Sequence, residues 1–143
     1  FNKNLKIKIK KEVDKKLLKK NISFLGLIKD KNKLSRLLKV SKIGITSYNI
    51  TNEHNYYEYA DSLKIRQYAE FALPVLTEGL TPLSREVVAH KFGYIFKNAN
   101  DLSRKISKII IKNEFNFLSK NSKKWALKNS KEKFVNKLKK QLN

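Results

Sequence analysis

The sequence predicts an α/β fold: a parallel β-sheet flanked by helices in the doubly wound manner, ending in a helical tail. Two patterns carry that prediction. Short apolar runs of four or five residues alternate with segments of about ten whose apolar positions recur at helical spacing, the alternation that parallel strands joined by crossover helices require. Beyond residue 112 the strand pattern stops, and residues 113–143 are helical by pattern, anchored by Trp125, Phe134, Val135 and Leu138.

In order along the chain, Leu5, Ile7 and Ile9 alternate with Lys6, Lys8 and Lys10, the period of a strand with one wet face. Residues 11–20 permit a helix, with Val13, Leu17 and Leu18 on one stripe, and Ile22-Ser23-Phe24-Leu25-Gly26 returns to strand. Leu34, Leu37 and Leu38 define a helical face over 31–39, and Ile43-Gly44-Ile45 reads as a buried strand. A polar, Tyr-rich stretch from Ser47 to Tyr59 leads into a helix from Ser62 to Phe71 and a strand over Pro74-Val75-Leu76-Thr77. A helix over Ser84–Ala89 and a strand over Gly93–Phe96 follow. Leu102, Ile106, Ile109 and Ile110 then mark a helix opened by an Asn100 or Asp101 cap. The expected division is 1–112 for the sheet domain and 113–143 for the tail.

Composition excludes several classes. There is no Cys, which removes disulfides and thiolate metal sites. His54 and His90 stand apart with no carboxylate cluster beside them, so no metal site is expected. No apolar run approaches the roughly 20 residues that cross a bilayer, so the chain is expected in the cytoplasm or at the cytoplasmic membrane face. It opens on Phe1 and has no Met, and is therefore expected to continue upstream, with the start of its first domain missing. The net charge of +21 comes from 29 Lys and only 4 Arg, alongside 15 Asn and 13 Ile. Nucleic-acid readers favour Arg and interleaved aromatics. The Lys excess fits a solvated surface of biased composition better, then a membrane-facing patch, with nucleic acid last.

Ligands of an open parallel sheet bind beyond the carboxyl ends of its strands, so the segments that follow each strand (26–30, 47–63, 77–83 and 97–101) are where chemistry is expected. The second ends in a helix start at Asp61-Ser62-Leu63-Lys64, where backbone N–H groups, the helix dipole and Lys64 suit a diphosphate. Asp61, as an N-cap, would oppose that anion. The four tyrosines of the loop fit either a base- or sugar-stacking surface or packing over the sheet edge. His54 reads as a solvated residue rather than a base. No nucleophile elbow, P-loop or dinucleotide fingerprint occurs.

The run from Asp61 to Thr77 (DSLKIRQYAEFALPVLT) resembles the segment of group 1 glycosyltransferases written Lys-x-x-Glu-Tyr, followed by small residues and Gly-Leu-Pro-Val. Phe24-Leu25-Gly26, Ile43-Gly44-Ile45, Gly93 and the Trp-containing tail agree with it in order. The resemblance implies the carboxy-terminal half of the GT-B fold: a Rossmann-like domain, incomplete here, that faces an acceptor-binding domain and holds a nucleotide-sugar donor. It implies transfer with retention and without a metal or other cofactor. Asp61, Ser62 and Leu63 would hold the diphosphate through backbone amides beside Lys64. Leu27 and Ile28 would lie near the base, and Glu78, Gly79 and Leu80 would line the sugar or phosphate side. Gln67 stands where the family has the Glu that bonds the ribose, and Ala72 where it has Gly, a change that costs only if the local φ is positive.

The expected activity is sugar transfer by the full-length protein, from a nucleotide-sugar to a saccharide, lipid-linked saccharide or protein acceptor. No catalytic residue is assigned, and peripheral membrane association is compatible with the basic helices. The alternatives are a non-catalytic basic module for nucleic acid or anionic membrane, and a sugar-nucleotide epimerase of the same fold.

Overall fold

The computed structural model describes residues 7, 9, 11–12, 20–47, 61–130 and 133. The chain forms two compact units, Phe1–Ser35 and Arg36–Asn143. In the first, Ile7 and Ile9, expected in a strand, are helical, as are Lys11 and Glu12. An alternation of so few residues also fits a helical turn. Residues 22–26 form neither helix nor strand. A strand needs a neighbour for its N–H and C=O groups, and this run has none among the described residues. Leu5, the Tyr-rich loop, His54 and the tail anchors Phe134, Val135 and Leu138 lie outside the described residues.

Helix α1 (Lys31–Val40) starts where Asp30 accepts from the backbone of Asn32 at 2.8 Å and Lys33 at 3.3 Å. From there the order is β1 (Gly44–Thr46), α2 (Leu63–Glu70), β2 (Val75–Thr77), α3 (Pro82–Ala89), β3 (Gly93–Ile95), α4 (Ala99–Ile111) and α5 (Phe115–Lys128). The strands pair in parallel in the order β1-β2-β3, with Thr46 beside Thr77 and Thr77 beside Ile95. Strand, helix and strand alternate as the sequence predicts.

Helices cover both faces of the sheet. On one face Val75 packs with Ile65 and Ala69 of α2, Leu83 and Val87 of α3, Phe92, and Trp125 of α5. The Phe92 and Trp125 rings lie 5.1 Å apart. On the other, Leu76 packs with Phe96, Ile109 of α4 and Leu118 of α5. Helix α5, read as tail, thus supplies an anchor to each core layer. Its start is braced by Glu114, which accepts from the Tyr94 hydroxyl and pairs with Lys108 at 3.2 Å. Burial and that Glu114 bond push the Tyr94 hydroxyl up, while the same bond holds the Glu114 carboxyl down.

Helix ends follow from the scarcity of glycine. Only four occur in the chain, so α2, α3 and α4 end at Ala72, Lys91 and Asn113, with φ of 56°, 52° and 58°. Each non-glycine residue in that left-handed region costs roughly 1 kcal/mol. Glycine is kept where backbones touch: a Cβ on Gly93 would lie 1.8 Å from the Val75 carbonyl oxygen, and one on Gly44 2.3 Å from the Tyr68 ring.

Candidate functional site at the carboxyl edge of the sheet

Parallel strands gather three helix N-termini at one edge. Helices α2, α3 and α4 each follow a strand, run back antiparallel to it, and so begin beside the carboxyl ends of β1, β2 and β3. What occupies each N-terminus differs.

At α3 the donors are taken. Thr81 and Ser84 form a capping box, the Thr81 hydroxyl accepting from the Ser84 N–H at 3.3 Å, with Pro82 opening the helix. Ser84 Oγ also lies 3.0 Å from Thr77 Oγ1 and 3.1 Å from Thr81 Oγ1.

At α4 the protein supplies its own anion. Asn98, rather than the expected Asn100 or Asp101, is the cap, accepting from the Asp101 N–H at 2.9 Å. The cap sits earlier because Asp101 turns inward. Its carboxylate accepts from Lys105 and Arg104, both at 2.7 Å, and from the Lys97 N–H at 3.1 Å, bonds that hold it far below the usual carboxylate range. Lys97, Asn98, Asn100, Asp101 and Arg104 line a hollow of about 410 Å³.

At α2 no side chain among the described residues caps the helix. Its N-cap is Ser62 and not Asp61. The Asp61 carboxylate is drawn to Arg66 Nε at 2.7 Å, because a guanidinium is a stronger donor to a carboxylate than a backbone amide. The repulsion expected between Asp61 and a bound anion is thereby offset. Ser62 is buried, and Leu63 and Lys64 in the first turn are exposed. Gln67 is half-buried and lies three residues after Lys64, on the same side of α2.

Other expected site residues fall beside this helix start or apart from it. Glu78, half-buried after β2, accepts from Ser47 Oγ at 2.9 Å, which ties together the ends of β1 and β2. Gly79 turns with φ 83°, where a Cβ would lie 3.0 Å from Ile95 Cγ2, and Leu80 is half-buried beside it. Leu27 and Ile28 belong to the first unit, in a stretch without regular structure where Leu27 is 84% exposed. His90, off this edge, pairs with Glu86 at 3.1 Å.

The sequence reading missed two residues here. Arg66 carried a sign in its i−5 distance from Asp61, but no rule predicts that this pair beats the cap. Thr46 was passed over by one position, since the segment inspected after β1 began at Ser47. Its hydroxyl is buried and is the one side-chain polar atom of that kind without a hydrogen-bond partner among the described residues.

A three-stranded parallel sheet, covered on both faces and carrying its helix starts at one edge, is a Rossmann-like partial domain. The chain belongs to the family of glucosyltransferase 3-like C-terminal domains, whose family model matches residues 1–142. No curated protein and no solved structure matches it. As a glycosyltransferase C-terminal domain it serves a protein that works on a sugar donor and an acceptor. No described helix is long and apolar enough to cross a membrane.

Proposed function

We propose that this domain holds the nucleotide-sugar donor of a GT-B glycosyltransferase, with the diphosphate on the N-terminus of α2. One observation carries the reading: of the three helix starts at the carboxyl edge, α2 is the one with neither a side-chain cap nor an internal carboxylate among the described residues. Its first N–H groups and the positive end of its dipole suit an anion. Lys64 adds a full charge in the same turn, and Arg66 neutralises Asp61.

In the reaction, these groups stabilise the charge that develops on the departing nucleoside diphosphate. The carboxyl-edge loop Glu78–Leu80 lines the sugar side, and Gln67 bonds the ribose hydroxyls. Transfer proceeds with retention and without a metal. The acceptor and its side of the cleft belong to the facing domain of the full-length protein.

Titration calorimetry of the full-length protein with UDP, GDP, ADP and dTDP tests the site. One of them binds, and Lys64→Ala weakens it by about ten-fold, the value of one charged contact of roughly 1.4 kcal/mol. Binding to none of the four, or binding indifferent to Lys64→Ala, overturns the assignment.

A further inference from the structure

Thr46 and Thr77 sit side by side, last residues of β1 and β2 and paired in register. Both are buried, at 2% and 0% exposure. Thr77 belongs to the closed hydroxyl relay with Ser84 and Thr81. The Thr46 hydroxyl has no partner among the described residues. A buried hydroxyl left unpaired costs stability and is uncommon in folded proteins. Valine has the same shape and removes that cost, so the fold itself gains nothing from oxygen at this position.

The direction of the side chain follows from its neighbours. Gly44 and Thr46 are two apart on β1 and face the same side of the sheet. A Cβ on Gly44 would point into the ring of Tyr68, so that side is the one α2 covers. The Tyr68 hydroxyl also reaches the Ile45 carbonyl at 3.2 Å, which fixes the level of Tyr68 against β1. Leu63 is five residues before Tyr68 on α2. A rise of about 1.5 Å per helical residue puts the start of α2 about 7.5 Å further along. Strand residues advance about 3.3 Å each, so the helix start is level with Thr46 and Ser47. The Thr46 side chain therefore lies on the α2 side of the sheet, level with the first turn of that helix.

We propose that Thr46 is a ligand-binding residue, its hydroxyl donating a hydrogen bond to a phosphate oxygen of a nucleoside diphosphate seated on the α2 N-terminus. The inference rests on the donor-site reading above and adds to it a neutral donor from the strand, opposite the helix amides. A hydroxyl suits the position because Lys64 and the helix dipole already supply charge.

The test compares wild type, Thr46→Val and Thr46→Ser by titration calorimetry with UDP, GDP, ADP and dTDP, and by thermal unfolding without nucleotide. The expected result is that Thr46→Val melts no lower than wild type yet binds the preferred diphosphate about ten-fold more weakly, the scale of a hydrogen bond to a charged group. Thr46→Ser keeps the donor and stays within about two-fold of wild type. Wild-type binding that Thr46→Val leaves within two-fold overturns this inference and leaves the donor site standing. A Thr46→Val protein that melts several degrees lower also overturns it, since the hydroxyl would then serve the fold. Failure of wild type to bind any of the four diphosphates overturns the donor site, and this inference with it.

Discussion

The hydroxyl of Ser122 on α5 donates to the carbonyl oxygen of Leu73 at 2.8 Å, wholly inside the protein and 49 residues away in sequence. Leu73 lies between α2 and β2, so this bond fastens the last described helix to the turn that feeds the central strand. Ser122→Ala leaves that carbonyl buried with its side-chain donor gone, and the expected loss is about 1–3 kcal/mol. Denaturant unfolding measures it, with Ser119→Ala, on the half-buried side of the same helix, as a control expected to change stability by about 0.5 kcal/mol or less. Equal effects from the two would mean that the Leu73 bond contributes nothing.

Ala72 predicts the opposite sign. Its φ of 56° is one that glycine adopts without strain and alanine does not. Relief of that strain outweighs the greater freedom glycine gives the unfolded chain, so Ala72→Gly is expected to stabilise by about 0.5–1 kcal/mol. The melting temperature should rise by about 2–4 °C. A drop would show that the turn tolerates alanine by some contact that the glycine loses.

Gly93 has no such latitude. The Val75 carbonyl oxygen occupies the place a Cβ would need, 1.8 Å away, so Gly93→Ala must separate β2 from β3 at the first rung of their pairing. The expected outcome is a loss of about 3 kcal/mol or more, at the exceptional end for single substitutions. Gly26 is the comparison: a Cβ there meets nothing within 4 Å, and only its φ of 66° opposes one. Gly26→Ala is expected to cost about 1 kcal/mol, and circular dichroism melts of the pair rank the two effects.

Acid should find Asp101. Hydrogen bonds from Lys105 and Arg104 depress its folded pKa below the unfolded value. On acidification the unfolded chain therefore takes up the proton first, and the stability this carboxylate contributes is present in full above about pH 5 and lost progressively below it. Asp101→Asn is expected to lie below wild type at neutral pH, and the two curves should converge as the pH falls toward 3. Denaturant midpoints from pH 3 to 7 check this, and a gap of constant size would exclude the linkage.

The parts of this fold legible in the sequence were those fixed by local pattern. The Val75–Thr77 strand between helical stripes, the parallel order and Gly93 opening β3 all follow from periods of 2 and 3.6. The residues that went astray depend on partners remote in sequence. Ile7 and Ile9, read as strand, are helical in the structure because period alone, over so few residues, leaves strand and helix both open. The 22–26 run has strand composition without a strand partner among the described residues. At the site, Ser62 and Lys64 were readable from the helix start. The pairing of Asp61 with Arg66 was not, because it turns on which of two donors a carboxylate prefers. Nor was the isolation of Thr46, since an absent partner leaves no trace in a pattern.

That pairing gives a last prediction, which bears on the proposed donor site. Asp61 stands at the mouth of the α2 N-terminus with half its side chain exposed, and Arg66 cancels its charge at 2.7 Å. Exposed pairs of this kind contribute only about 0–1 kcal/mol to stability, so the value of the contact lies in the field it leaves for a ligand. Arg66→Ala restores a full negative charge next to the bound diphosphate, and affinity is expected to fall by about three- to ten-fold. Asp61→Asn in that background removes the same charge and should return affinity to within about two-fold of wild type. Arg66 also lies 5.7 Å from the centre of the Trp125 ring, a contact of about 0.5–1 kcal/mol lost in single and double variants alike. A fall in affinity that persists in the double variant would trace to that lost packing, and recovery would trace to the charge. Calorimetric titrations well below the melting point of the weakest variant separate the two.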